Sequence, residues 1–246
     1  MMNLTDKWIW QSPGWTDFQW QDELILPRLR DTRMNLGILL GKASLGDSSE
    51  QSLDTLLANI LASSAIENEQ LNVESVRSSL AKQLGLSVEQ PYPTSDRSEG
   101  LAAMMLDALQ NQFSPLTMQR LFQWHEWLFP VPKENELSFQ NLITGQLRGD
   151  EPMQVVSGRL DRQTVHFEAP PRDQLESELD KFITWFNKSA QQSDLDPLLR
   201  AAITHFWFVT LHPFDDGNGR ITRALTDMAL AQADSQSIRL YAMSVA

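Results

Sequence analysis

The sequence predicts a mainly α-helical protein with one β-hairpin. Three observations predict this fold class: apolar residues recur at helical spacing along most of the chain, two short β-rich runs flank a single turn, and glycine or proline ends several periodic segments. The 246 residues are enough for one large domain or two small ones. A linker with two prolines at 87–94 predicts a boundary between an N-terminal helical region, 1–93, and a second domain, 94–246.

The composition is that of a folded, water-soluble protein, with 41 % hydrophobic and 21 % charged residues. The net charge of −12 argues against nonspecific binding to nucleic acid or to an anionic membrane surface. Cysteine is absent, which excludes disulfides, thiolate catalysis and cysteine-ligated zinc. No apolar run reaches the ~18 residues of a membrane span, and the first residues lack a secretion signal. We therefore expect a cytoplasmic protein.

Four tryptophans between residues 8 and 20 predict that the N-terminal segment docks onto the body of the protein. A helix is predicted next, from Asp22 to Leu40, ended by Gly41. Later periodic segments predict helices at Val73–Leu84, Arg97–Phe113, Thr117–Leu128, Arg172–Lys188, Pro197–His212 and Arg220–Ala233. The strands of the hairpin are predicted at Met153–Val156 and Thr164–Phe167. A lone hairpin is poorly stable, so it should lean on the helices and leave one edge open.

A further helix, about 52–68, is marked by one apolar stripe that comprises Leu53, Leu56, Leu57, Ile60, Leu61 and Ser64. Continuing this stripe reaches Glu67. A carboxylate at that position either leaves the helix end into solvent or has a cationic partner.

The segment 210–223 carries the residue types of a reactive site. Pro213 cannot extend the preceding helix, so His212 lies at its end and faces a loop. Gly217, Asn218 and Gly219 can adopt the backbone of an anion-binding nest just before the next helix begins. The exposed N–H groups of that helix start complete a phosphate cradle.

Charged residues around the same loop fit phosphate chemistry. Arg220 and Arg223 lie three residues apart, hence on one helical face, and each guanidinium can bind phosphate oxygens. Asp216 offers a carboxylate suited to Mg²⁺ that itself sits on phosphates. A base, a metal ligand, a backbone cradle and two arginines together indicate a phosphoryl-type transfer site. The chain lacks a P-loop sequence.

The residues 212–220, His-Pro-Phe-Asp-Asp-Gly-Asn-Gly-Arg, resemble the Fic family signature without a departure. The resemblance covers roughly 95–246, and the start Trp8-Ile9-Trp10-Gln11 is similar to that of bacterial Fic proteins. It implies the Fic fold, a helical core at 94–246 with the hairpin as a flap. Related chains often continue into a further domain, and whether one follows Ala246 in the full protein stays open.

The resemblance implies a protein adenylyltransferase, which moves AMP from ATP onto a Ser, Thr or Tyr hydroxyl of a target protein or of the chain itself. His212 would be the general base, and Asp216 would hold Mg²⁺ on the α- and β-phosphates. Gly217, Asn218 and Gly219 would cradle phosphate oxygens, and Arg220 would stabilise the pyrophosphate. Phe214 would be buried and fix the loop. Gln154, Val155 and Val156 of the flap would pair with an extended stretch of the target.

The resemblance also explains Glu67. The sequence of Ser63, Glu67 and Asn68 is similar to an inhibitory motif whose glutamate pairs with the second arginine of the signature, here Arg223. That pair would deny Arg223 to the γ-phosphate of ATP. We therefore expect an autoinhibited enzyme with an N-terminal inhibitory helix.

Several alternatives stay open. The same site could hydrolyse AMP from a modified protein with Glu67 assisting a water molecule, or the chain could bind ATP without turning it over. The transferred group could also be UMP, phosphate or phosphocholine. His125 and His205 are interpreted as core histidines held by hydrogen bonds. The tryptophans are interpreted as core residues, and a homodimer contact is the alternative.

Overall fold

The computed structural model describes residues 7–43, 48–87, 90–130, 142–159, 162–192, 194–234 and 244, and the chain is mainly helical with one small antiparallel hairpin. The predicted fold class is confirmed. In these ranges the elements follow in this order: α1 Asp22–Ala43, α2 Ser48–Ile66, α3 Val73–Gln83, α4 Asp96–Gln110, α5 Met118–Leu128, β1 Gln154–Arg159, β2 Arg162–Glu168, α6 Arg172–Ser189, α7 Pro197–Leu211 and α8 Asn218–Asp234.

Several predicted helix boundaries were wrong: among them, α2 begins at Ser48 rather than at about 52, and α4 ends at Gln110 rather than at Phe113. The helix α1 runs through Gly41 to Ala43, because one glycine costs a helix only about 1 kcal/mol. The helix α2 ends at Ile66 rather than at 68, because Asn68 adopts a left-handed backbone with φ of 57°. The N–H of Glu69 then donates to the carbonyl of Ser64 at 3.0 Å, which closes the helix end in the manner of a Schellman motif.

The apolar stripe of α2 faces the core as predicted: Leu53, Leu56, Leu57 and Ile60 are all buried. The helix α2 packs on α3, α4 and α8, while α7 packs on α6 and α8. One hydrophobic core therefore includes residues on both sides of position 93, and the division into two domains there stays a prediction. None of the helices in the described ranges has the length and apolar character needed to cross a membrane.

The hairpin β1–β2 is exposed and is held at its base by the N-terminal tryptophans. The indole N–H of Trp10 donates to the carbonyl of Glu168 at 2.6 Å, and Trp8 contacts the ring of Phe167 edge-on at 5.7 Å. Farther along, Trp15 packs edge-on against Trp207 at 5.8 Å. The N-terminal segment thus docks on the body as its composition predicts, with these indoles half-buried rather than in the core.

The strands pair antiparallel from Gln154 opposite Glu168 to Arg159 opposite Arg162, with an irregularity between Val155 and Val156. Within the described residues this sheet has two strands, so the outer edge of β1 carries no paired strand. Its side chains are exposed along the whole strand. This geometry agrees with the predicted open edge.

Arg200 ties three helices together in the core. Its guanidinium donates from Nε to Ser189 Oγ at 2.8 Å, from Nη1 to the carbonyl of Ala229 at 3.2 Å, and from Nη2 to the carbonyl of Phe186 at 2.9 Å. Burial lowers the pKa of Arg200 to about 10. The three bonds join the end of α6, the first turn of α7 and the last turns of α8.

We predict that Arg200→Met lowers the free energy of unfolding by about 3 kcal/mol, because two buried carbonyl groups lose their donors. The matched control is Arg77→Met, which removes an exposed ion pair to Asp54 and should cost less than about 1 kcal/mol. Urea denaturation followed by circular dichroism measures both values. Equal losses for the two variants would contradict the account.

Candidate functional site

His212 ends α7 in a strained left-handed conformation, with φ of 47° and ψ of 59°. Its N–H closes the helix by donating to Phe208, and its Nδ1 lies 3.2 Å from the carbonyl of Val209. A carbonyl oxygen only accepts, so Nδ1 must carry the proton and Nε2 is the basic nitrogen of the ring. The prediction that His212 lies at a helix end is confirmed.

Arg148 holds the backbone at this point. Its Nε donates to the carbonyl of His212 at 2.9 Å, its backbone N–H donates to the carbonyl of Pro213 at 3.0 Å, and Nη2 bonds the carbonyl of Pro170. Arg148 is buried. The chain leaving α7 is therefore fixed by a residue that precedes the hairpin.

The loop between α7 and α8 is built on Phe214. This ring is fully buried and stacks on the imidazole of His125 at 4.4 Å. The side chain of Asn218 accepts from the Phe214 N–H at 2.9 Å and donates to the Phe214 carbonyl at 2.7 Å. Because its amide is occupied in this way, Asn218 can offer a ligand only its backbone N–H. The predicted burial of Phe214 is confirmed.

His125 supports the loop through hydrogen bonds at both of its ring nitrogens. The N–H of Gly145 donates to its Nδ1 at 3.1 Å, so the other nitrogen, Nε2, carries the proton and donates to the carbonyl of Asp216 at 3.2 Å. Burial lowers the pKa of His125, which keeps the ring neutral in this role. The interpretation of His125 as a hydrogen-bonded core histidine is confirmed.

The start of α8 has backbone features that are typical of anion-binding helix starts. Gly217 has φ of 80°, and its N–H donates to the Asp216 carboxylate at 2.5 Å. The first N–H groups of a helix have no partner within the helix, and the helix dipole adds positive potential there. Asn218 and Gly219 therefore present N–H groups to the space above the loop.

A cleft of about 300 Å³ opens above this helix start. It brings together most of the residues that the sequence predicts for the site. Its lining residues are Glu67, His205, Val209, His212, Asp215, Asp216, Gly217, Asn218, Gly219, Thr222 and Arg223.

The Glu67 carboxylate lies against the start of α8. Its Oε1 accepts from Nη2 of Arg223 at 2.7 Å, and a Cβ built on Gly219 would lie only 2.1 Å from the same oxygen. Ser63 completes the contact, since Arg223 donates from Nε to its Oγ at 2.7 Å and from Nη2 to its carbonyl at 2.9 Å. Asn68 takes no part in these bonds and instead supplies the left-handed residue that ends α2.

Arg220 does not line the cleft. Its side chain is only 4 % exposed, and it contacts Glu69 through Nη1 and Asp216 through Nη2, the latter at 3.4 Å. The flap residues Gln154, Val155 and Val156 are also absent from the lining and lie exposed on β1. The structure therefore gathers His212, Asp216, the helix start and Arg223 in one place, with Arg220 behind them.

Sequence reasoning misplaced one histidine. His205 was predicted to be a core residue, but it is exposed and lines the cleft. Its Nδ1 lies 3.1 Å from Thr226 Oγ1. His205 and His212 are seven residues apart, which places them on the same side of α7, and that spacing was the signal that could have found it.

Burial lowers the pKa of His212, and the positive charge of Arg148 lowers it further. The hydrogen bond to Val209 and the negative charges of Glu67 and Asp216 act in the opposite direction but do not reverse the shift. His212 is therefore neutral at pH 7, which a general base requires.

The fold and the site define a helical protein that presents an imidazole and a carboxylate beside an anion-binding helix start. Residues 115–230 match the family described as Fic/DOC, and residues 8–86 match a domain of unknown function (DUF4172). Residues 115–230 of this chain are thus similar to the Fic/DOC family.

Named relatives share parts of the sequence. A uridine 5'-monophosphate transferase from Xanthomonas campestris pv. campestris (strain 8004) is 32 % identical over 121 residues, 48 % of this chain and 21 % of that protein. The protein adenylyltransferase Fic of Drosophila grimshawi is 42 % identical over 55 residues, 22 % of this chain and 11 % of that protein. The matched part of this chain thus spans about a fifth or less of these relatives.

Solved structures share the fold. A Fic family protein from Desulfovibrio desulfuricans G20 superposes with a TM-score of 0.54 at 23 % identity, covering 87 % of this chain and 58 % of that one. Fic-1 (aa134–508) from C. elegans gives a TM-score of 0.55 at 20 % identity, covering 86 % and 59 %. The chain has the Fic fold.

We predict that the imidazole of His212 titrates with a midpoint below the ordinary value of 6.5. The neutral, basic form is then fully populated at pH 7 and is lost only as the pH falls through that midpoint. Two-dimensional NMR of the imidazole resonances measures it, and the signal missing in His212→Ala gives the assignment. A midpoint at pH 7 or above would contradict the burial argument.

Proposed function

We propose that this chain is a protein adenylyltransferase, which transfers AMP from ATP to a Ser, Thr or Tyr hydroxyl and is restrained by Glu67. One observation carries the proposal: one cleft is lined by His212, by Asp216 and by the start of α8, beside which Arg223 binds the Glu67 carboxylate. The named relatives transfer nucleotides by their descriptions, which supports nucleotidyl transfer as the class of reaction.

His212 is the proposed general base. The substrate hydroxyl gives its proton to Nε2 while its oxygen bonds to the α-phosphorus of ATP, and the bond from that phosphorus to the β-phosphate breaks to release pyrophosphate. The hydrogen bond from Nδ1 to Val209 fixes the tautomer that this step needs. Arg148 and the left-handed backbone at His212 keep the ring aimed into the cleft.

The residues of the cleft fit Mg²⁺ that arrives with a nucleotide. In the described ranges no cluster of three His, Cys, Asp or Glu residues could hold a metal by itself. Mg²⁺ in proteins is commonly bound by one or two carboxylates together with substrate phosphates, and Asp216 would supply that carboxylate. When bound, Mg²⁺ neutralises charge on the phosphate oxygens during transfer.

The nucleotide phosphates are proposed to lie at the start of α8. Asn218 and Gly219 would offer backbone N–H groups, Gly217 would shape the loop while its own N–H donates to Asp216, and Arg223 would bind the terminal phosphate with its guanidinium. Arg220 would act on the departing pyrophosphate through its positive charge from behind the cleft, because its side chain is buried and bound to Glu69.

Glu67 is the proposed restraint. Its carboxylate lies on Arg223 and against Gly219, so a phosphate group that needs the same arginine must displace it. Ser63 strengthens the inhibited arrangement by accepting a second bond from Arg223. A carboxylate at a helix N-terminus satisfies the same potential that attracts a phosphate.

The target protein is proposed to dock on β1. The outer edge of this strand is unpaired among the described residues, and Val155 and Val156 expose 49 % and 40 % of their surface. An extended segment of a target could add to Gln154, Val155 and Val156 as a further strand.

UMP is the second candidate for the transferred group. The observation that favours it is the match to a uridine 5'-monophosphate transferase over 121 residues, which spans 48 % of this chain. Donor preference follows from side-by-side reactions with ATP and UTP, each labelled at the α-phosphate. Stronger labelling from UTP would replace AMP with UMP and leave the catalytic roles unchanged.

We predict that Glu67→Gly raises incorporation of label from α-labelled ATP into the chain by roughly 5- to 150-fold, which is the range of a coupling free energy of about 1–3 kcal/mol. The physical reason is that Arg223 becomes free to bind phosphate. Glu151→Gly, a change at an exposed loop residue, is the control and should leave labelling unchanged. Equal labelling of wild type and Glu67→Gly would contradict the restraint.

We predict that His212→Ala in the Glu67→Gly background reduces labelling at least 100-fold, because the proton of the hydroxyl loses its acceptor. The affinity for ATP, measured by titration calorimetry, should change by less than about threefold, because the proposed role of His212 is to accept a proton and not to bind the phosphates. Labelling that survives this substitution would remove His212 from the catalytic role.

A further inference from the structure

The turn that follows α2 presents two carboxylates to the two arginines of α8. Glu67 pairs with Arg223, as described above. Two residues later, Glu69 pairs with Arg220, and this second contact lies outside the cleft. Each arginine of the site is therefore met by its own glutamate from the same turn.

The Glu69 carboxylate is shared by two guanidinium groups. Arg97 binds it in a bidentate manner, from Nε at 2.7 Å and from Nη2 at 2.8 Å, while Arg220 binds the second oxygen through Nη1. Both guanidiniums also lie over the ring of Phe129, at 4.9 and 5.1 Å from its centre. One negative charge thus separates two positive charges that would otherwise repel each other.

Because Arg220 is buried, its positive charge depends on a nearby carboxylate. Its side chain is 4 % exposed, against 25 % for Glu69 and 24 % for Arg97. Burial lowers the pKa of Arg220, and the charge of Arg97 lowers it further. A cation in this position needs a fixed anion, and the described residues within reach offer it Glu69 and Asp216.

Asp216 lies on the other side of the same guanidinium. Nη2 of Arg220 is 3.4 Å from Asp216 Oδ1, which is longer than a normal charge-assisted hydrogen bond. Without the carboxylate of Glu69, the nearest remaining anion for Arg220 is Asp216. The arginine would then close onto the carboxylate that the metal requires.

We propose that Glu69 is a positioning residue that holds Arg220 away from Asp216 and so keeps the Asp216 carboxylate available to Mg²⁺. The role of Asp216 in this statement rests on the proposed function. The two glutamates of the turn then act in opposite directions: Glu67 opposes nucleotide binding at Arg223, whereas Glu69 supports the metal position through Arg220. Residues that orient a metal ligand from behind commonly change metal affinity by 10- to 100-fold.

The test measures the Mg²⁺ dependence of ATP binding by titration calorimetry in His212→Ala protein, which does not consume the nucleotide. We expect Glu69→Gln to raise the Mg²⁺ concentration for half-maximal ATP affinity by about tenfold. Glu69→Asp, which keeps the charge on a shorter side chain, should restore most of the wild-type dependence. Thermal unfolding of each variant confirms that the protein is folded.

Two control variants distinguish a role of Glu69 in positioning Arg220 from a role in joining α2 to α4. Glu99→Gln removes a carboxylate bound to Lys82 on the helix surface and should leave the Mg²⁺ dependence unchanged. Arg97→Met removes the other partner of Glu69 while leaving the Glu69–Arg220 pair, so it should shift the dependence by less than about twofold.

Two results would overturn the proposal. One is an unshifted Mg²⁺ dependence in Glu69→Gln, and the other is an equal shift in Arg97→Met, which would make Glu69 a brace between α2 and α4. Neither result depends on AMP transfer, because the readout is binding. Failure of the proposed function is seen separately, as absence of labelling in Glu67→Gly protein with an intact His212.

Discussion

The ion pair between Glu67 and Arg223 is the interaction on which the rest of the site depends. It joins the end of α2 to the first turns of α8 at 2.7 Å and places a carboxylate where the helix start attracts an anion. The pair is accessible, with side chains 32 % and 13 % exposed, so solvent and an incoming phosphate can compete for it. A contact that closes the site and can still be exchanged suits a restraint better than a fully buried pair would.

Around this ion pair, some residues hold the loop in place and others face the cleft. Phe214, Asn218 and His125 fix the loop through stacking and buried hydrogen bonds, and Arg148 fixes the backbone of His212. The side chains of Phe214, Asn218 and His125 are taken up by these contacts. The groups that face the cleft are instead the imidazole of His212, the carboxylate of Asp216, the helix start and Arg223.

The sequence predicted those features that are local in the chain. Helices α3 to α8 follow from apolar spacing and caps, and the residues from His212 to Arg223 form one contiguous segment whose loop geometry is set by Pro213 and Gly217. The partnership of Glu67 with Arg223 came from a family resemblance, because the two residues are 156 positions apart. Contacts without such a guide were missed: Glu69 meets Arg220 across 151 positions, and His205 lines the cleft. Such pairs depend on how helices pack, which residue spacing alone does not encode.

We propose that Glu67 and the terminal phosphate of ATP compete for Arg223 at the start of α8. The most direct measurement is a crystal structure of Glu67→Gly protein with Mg²⁺ and a non-hydrolysable ATP analogue. The account predicts phosphate oxygens on the guanidinium of Arg223 and on the backbone N–H groups at the start of α8, with the α-phosphorus facing Nε2 of His212. A nucleotide bound elsewhere, with Arg223 making no phosphate contact, would contradict it.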